Sequence, residues 1–208
     1  MNKRKYTLGE EIFNSTSHGI GVLLSFVALI IMVFFSSSVL ELTSSIIFGS
    51  TLILLYTSST LYHAITNEKA KKIFQILDHC TIYLLIAGTY TPYALLIIGG
   101  TSGWLIFTII WISALVGILL NSINLSKFRI LSIILYVAMG WAIAFYLPQL
   151  LDKLEFGGLA LLIAGGLAYT IGIIFYVIKG VKYFHSIWHL FVLGASICHI
   201  LSVLIYIL

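Results

Sequence analysis

The sequence predicts an all-α integral membrane protein. It would be a bundle of seven transmembrane helices with a cytoplasmic N-terminus and an outer C-terminus. Three observations predict this: an apolar composition, seven apolar stretches of spanning length, and basic residues gathered in alternate connections. Of the 208 residues, 61% are hydrophobic and only 9% are charged, with a mean hydropathy of +1.12. Soluble domains average about 25% charged residues, so this chain could not cover a water-facing surface. That disfavours a soluble enzyme, a nucleic-acid binder and a water-soluble secreted toxin. The pI near 9.0 is then a sign of membrane sidedness rather than of a nucleic-acid partner.

A spanning helix needs about 20 mostly apolar residues. The first qualifying stretch is 18–36. Its basic start, Met1-Asn-Lys-Arg-Lys-Tyr6, resembles a signal peptide. The apolar run exceeds the usual length and no A-x-A site follows, so it reads as an uncleaved helix. Next come 44–64 and 73–98, the latter bent at Pro92, whose missing N–H interrupts the helical ladder. The stretches 103–121 and 129–149 follow, with Pro148 near the end of the fifth. Gly140 and Ala144 there, and Ala164, Ala168 and Gly172 in the sixth (156–178), read as small-residue ladders for close helix packing. The seventh is 187–207. Residues 1–17 form a short cytoplasmic segment, and 18–208 form one seven-helix domain. Cys80 and Cys198 lie in apolar runs and read as buried free thiols.

Direction follows from Lys and Arg. Lys3, Arg4, Lys5, Lys69, Lys71, Lys72, Lys127, Arg129, Lys179 and Lys182 fall on one side of the membrane. Only Lys153 falls on the other. The basic side is the inner one, which puts the N-terminus inside.

Ionisable residues inside spans cost at least about 2.5–3.5 kcal/mol each, so they mark function. His63 ends the second span, Asp78 and His79 lie early in the third, and His185 and His189 open the seventh. All belong to the inner side of the bilayer. His185-Ser-Ile-Trp-His189 has the i, i+4 spacing that puts two imidazoles on one helix face. With His63 they would make a three-histidine zinc site with an open fourth position for water. Asp78 is the candidate proton acceptor or orienting group. Ser59, four residues before His63 on the same face, is the candidate support. Such a site suits attack on an amide or ester carbonyl. His79 points about 100° away from Asp78 and is left out. His199 lies about 15 Å deeper than His189 and is too far for the same metal.

Glu11, Asn14 and His18 share a face if the N-terminal segment is helical. Two readings stand: a polar plug beneath the site, or an amphipathic helix on the membrane surface, with the surface helix slightly preferred.

Glu11-Ile-Phe-Asn14, Ser17-His18-Gly19, Ser59-Thr-Leu-Tyr-His63, Asp78, His185-Ser-Ile-Trp-His189 and His199 together resemble the hemolysin III family. That family lies within the progestin and adipoQ receptor family, which includes the adiponectin receptors. The resemblance runs over nearly the whole chain. It implies a seven-helix bundle with zinc held by His63, His185 and His189 on the cytoplasmic side. It also implies that Asp78 contacts the zinc-bound water and that Ser59 supports the site. Three functions follow as expectations: a zinc-dependent hydrolase of a lipid amide or ester, a hemolysin III-type pore-forming cytolysin, and a receptor or regulator with structural zinc. The polar groups cluster on the inner side, and a pore needs a polar stripe through the whole membrane. This favours the hydrolase.

Overall fold

The computed structural model describes residues 6–208, and the described residues fold into helices without strands. Lys3, Arg4 and Lys5, counted above toward sidedness, lie outside the described residues. The helices are α1 (Leu8–Phe35), α2 (Val39–Ala64), α3 (Glu68–Pro92), α4 (Gly100–Asn124), α5 (Arg129–Trp141), α6 (Leu147–Lys153), α7 (Phe156–Val177) and α8 (Phe184–Tyr206). A π-helical turn, Tyr93–Ile98, extends α3, and a 3-10 turn, Ala142–Tyr146, joins α5 to α6. Counted as continuous rods, these make seven helices long and apolar enough to cross a membrane. The protein is a multi-pass membrane protein.

Local chemistry explains most of the boundaries. The Thr7 side chain and the Glu10 carboxylate form a reciprocal capping box that starts α1. Ser38 caps α2 by accepting the Glu41 N–H, and Asn67 caps α3 by accepting the Ala70 N–H. Pro92 lies where α3 passes from α-helical to π-helical winding, as expected of a residue without a donor. Gly99, at φ 64°, ends that turn in the left-handed region. Pro148 sits in the first turn of α6, where its missing N–H costs nothing.

The main difference from the sequence reading is at the start. The helix begins at Leu8 rather than near residue 18, so the polar N-terminal segment and the first span are one rod. Its Glu10, Asn14 and His18 are buried. The face slightly preferred as a membrane-surface helix instead packs into the bundle. Glu10 and Asn14 have hydrogen-bond partners there, which offsets the cost of burying them, and the His18 ring stacks on that of His189.

Outward-facing positions are apolar and exposed, as with Phe34 (81%), Phe145 (86%) and Phe156 (85%). A bilayer, not water, suits such a surface. Inside, Met32, Phe48, Leu52, Tyr56 and Tyr93 form one core cluster, and Tyr83, Ala94, Ile106 and Ile110 belong to another. Small residues permit the closest approaches. A Cβ on Gly21 would meet the Tyr56 ring at 2.4 Å, and one on Gly172 would meet Phe191 and Trp188 at 2.8 Å. Gly172 thus packs as the ladder predicts, whereas Ala164 is exposed. Gly140 and Ala144 are exposed too, and nothing lies within 4 Å of a Cβ on Gly140. That pair is no packing ladder; it borders a cavity described below. Cys80 and Cys198 are free thiols, the first buried and the second partly so.

Candidate metal centre

Chain direction brings the start of α1, the end of α2 and the start of α8 to one end of the bundle. Direct bonds tie them together. Glu10 Oε1 accepts the Tyr183 N–H at 2.9 Å, fixing the turn before α8. Tyr183 has φ 63°, an uncommon left-handed residue at a helix start. Ser186 Oγ donates to Asn14 Oδ1 at 2.6 Å. Successive turns of α1 thus hold the first turn of α8 in place.

His63, His185 and His189 come together there. One nitrogen from each lies within 4.8 Å of the others. His185 Nε2 and His189 Nε2 are 3.2 Å apart. Two nitrogens of one zinc tetrahedron, with bonds of about 2.0–2.1 Å, are separated by about 3.3 Å. His63 and His189 are buried at 3% and 1% exposure, and His185 is half-buried.

The donor set fits a zinc ion. Glu11 Oε2 lies 2.6 Å from His63 Nδ1, and a carboxylate can only accept. His63 Nδ1 therefore carries the hydrogen, which leaves Nε2 with its lone pair. That Nε2 is buried and has no hydrogen-bond partner among the described residues. A buried unsatisfied acceptor is costly, and a cation shared with His185 and His189 would satisfy it. Lys71 Nζ holds the other Glu11 oxygen at 2.9 Å. The carboxylate–histidine pair is what metal-bound imidazoles usually require.

Aromatic rings close around the trio. His18 stacks on His189 at 3.7 Å between centroids, with 17° between planes. Tyr6 stacks on His185 at 4.9 Å and tilts against His63 at 5.5 Å. Burial, with Tyr62, Tyr176, Asp78 and Glu11 nearby, pushes the Tyr6 phenol well above its ordinary pKa. The hydroxyl stays protonated.

The other singled-out residues fall as follows. Ser59 is buried one turn before His63, and its Oγ has no hydrogen-bond partner among the described residues. Asp78 is half-buried, with Oδ2 3.8 Å from His79 Nδ1. His79 turns back to the Gln75 carbonyl at 2.8 Å and is not one of the trio. His199 is also separate, with Nε2 3.2 Å from the Leu162 carbonyl. The sequence reading placed Glu11, Asn14 and His18 on one face but did not give Glu11 its bond to His63. It missed Tyr6 altogether. A tyrosine that follows three basic residues carries no spacing signal of its own.

His185 of the trio lines the first of two cavities. A polar vestibule of ≈ 950 Å³ at the N-terminal end is lined by Tyr6, Glu10, Arg129, Lys182 and His185 among others. An apolar cavity of ≈ 270 Å³ runs between helices from Tyr176 and Trp188 to Leu159 and His199. The Tyr176 ring lies 6.2 Å from that of His185. The cavity wall includes the exposed residues Gly140, Trp141 and Ile163, so it opens sideways between α5 and α7.

Comparison with known proteins agrees with this architecture. The family model described as "Haemolysin-III related" matches residues 6–200. A protein named "Hemolysin-3 homolog" from Bacillus subtilis is 44% identical over 97% of this chain and 96% of its own length. "Hemolysin-3" from Bacillus cereus is 41% identical over 100% of this chain and 96% of its own. The human protein named "Monocyte to macrophage differentiation factor" is 27% identical over 94% of this chain and 83% of its own. The matched stretch takes in all three clustered histidines, and the chain belongs to the haemolysin-III related family of membrane proteins.

Proposed function

We propose that the protein is a zinc-dependent membrane hydrolase acting on a lipid amide or ester at the cytoplasmic side of the membrane. One observation carries the reading: His185 of the three-histidine cluster lies 6.2 Å, ring to ring, from Tyr176, which lines an apolar cavity with exposed residues in its wall. A lipid entering between α5 and α7 would lay its chain along the cavity and bring its carbonyl toward His185. The basic connections at this end of the bundle support the cytoplasmic assignment.

His63, His185 and His189 would hold the ion, and Glu11 would keep His63 in the tautomer that offers Nε2. Zinc bound there supplies a Lewis acid and activates water at neutral pH. Asp78 takes up the proton on a carboxylate oxygen and returns it to the leaving amine or alcohol. It lies early in α3, which begins four residues after the end of α2 that carries His63, so it belongs to the same end of the bundle. The Ser59 hydroxyl is buried without a partner among the described residues, which supports a role for it in donating to the developing oxyanion. In the net reaction the acyl carbon–heteroatom bond breaks, water's oxygen joins the acyl carbon, and the leaving group gains a proton.

The test is the metal content of detergent-purified protein, followed by turnover of lipid amides and esters. About one zinc per chain, lost when His63, His185 and His189 are all changed to Ala, supports the reading. No stoichiometric metal after chelator-free purification removes the mechanism.

A further inference from the structure

The apolar cavity is lined by two residues whose buried polar atoms have no hydrogen-bond partner among the described residues, His199 at Nδ1 and Tyr93 at its hydroxyl. His199 lies in the middle of α8, buried at 6% exposure, and lines the cavity. Its Nε2 is 3.2 Å from the Leu162 carbonyl, which can only accept. The hydrogen is therefore on Nε2, and in the neutral ring Nδ1 is a hydrogen-bond acceptor. Nδ1 is buried and has no partner among the described residues. The position is built, not incidental. Gly165 of α7 leaves room for the ring, since a Cβ there would meet His199 Nε2 at 2.3 Å and Cδ2 at 2.4 Å. That edge faces α7, so Nδ1 faces away from it. The rings of Tyr93 and Tyr169 lie 6.5 and 5.7 Å from the imidazole, and both line the same cavity.

A buried acceptor and a tyrosine hydroxyl in a greasy tunnel suit a group that can donate to the first and accept from the second. We propose that His199 Nδ1 recognises a hydroxyl carried part-way along the acyl chain of a bound lipid. Ten residues separate His199 from His189, which places this site about 15 Å along α8 from the metal centre. The group it reads is therefore far from the carbonyl and not part of a headgroup. An amine would be charged and poorly suited to the apolar wall, and a carbonyl or ether oxygen has no hydrogen to give. A hydroxyl is the neutral donor that a lipid chain carries. The inference deepens the hydrolase reading and takes from it the direction of the chain, with the carbonyl at the histidine trio.

Oleate and ricinoleate test it, because they differ only in a mid-chain hydroxyl. Full-length protein in nanodiscs is loaded with a fluorescent fatty acid, and each unlabelled acid is used to displace it. Ricinoleate is expected to bind about threefold to tenfold more tightly than oleate, the range for one net hydrogen bond. His199→Phe should remove the difference by weakening ricinoleate alone. If that variant does not fold, histidine nitrogen-15 spectra of the wild type serve instead. One imidazole acceptor signal should shift with ricinoleate and stay put with oleate. Equal affinities in the wild type, an undiminished difference in His199→Phe, or failure of both acids to displace the probe would each overturn the proposal. Binding is read without turnover, so the two readings separate. A chain that hydrolyses lipids but shows no preference loses only this inference. A chain that prefers ricinoleate but hydrolyses nothing loses only the hydrolase.

Discussion

Glu11 and His63, 52 positions apart in sequence, meet at 2.6 Å through a carboxylate oxygen and Nδ1. The pair fixes which nitrogen of His63 is offered to the cluster, and Lys71 steadies the carboxylate from the other side. Glu11→Gln keeps the shape but loses the obligate acceptor. Zinc affinity should fall about 10–100-fold, the usual cost of disturbing a group that orients a ligand. Competition with a zinc-chelating dye measures it. An unchanged affinity would mean that His63 is held by other contacts.

Asp78 and the histidines should separate in their effects. Asp78→Asn is expected to retain zinc and lose turnover by about 10²–10⁴-fold, the range for a positioned acid–base group. Metal analysis and a lipid amidase assay on one preparation decide it. Wild-type turnover in this variant would remove Asp78 from the reaction.

Tyr6 stacks on His185 and leans on His63, so it shields the trio from the vestibule. Tyr6→Ala should speed chelator-driven zinc loss about 2–10-fold, as expected from an aromatic contact of about 0.5–1.5 kcal/mol. Stopped-flow release kinetics read this directly. A rate equal to wild type would show that the ring covers nothing.

Gly21 lets α1 lie against Tyr56, whose hydroxyl bonds to Ser196 Oγ of α8 at 2.8 Å. Gly21→Ala should push that ring aside and destabilise the bundle by about 1–3 kcal/mol, the range for overpacking. A thermal-shift assay in detergent checks it, and no loss of stability would show that the α1–α2 interface can yield.

The span count was legible because bilayer thickness imposes a length and a composition on each crossing. The trio was legible because His185 and His189 carry helical spacing and His63 ends a neighbouring span. The start of α1 was not, since hydropathy sees only the lipid-facing part of a rod. Within residues 8–17, Glu10, Glu11 and Asn14 are polar because they bond to α2, to α8 and to the turn before it, and burial inside a bundle looks like solvent exposure in a linear profile. Gly140 and Ala144 misled for a related reason: smallness permits close approach but does not require it. There the room is left empty and becomes the cavity's mouth. The orphaned acceptor of His199 could not be read at all, because it depends on a carbonyl 37 positions away.

The bonds from α1 to α8, Glu10 to Tyr183 and Asn14 to Ser186, join the opening of the chain to its close. During synthesis, His63 emerges about 120 residues before His185. At about 5–20 residues per second, it waits on the order of ten seconds for its companions. Throughout that interval the cluster is incomplete, and a chain stalled in its sixth span lacks two of its three histidines. Ribosome-released chains ending at residue 178 should insert into membranes and still carry no zinc. Arrival of α8, with His185 and His189, thus becomes the event that completes the cluster in an already inserted polypeptide.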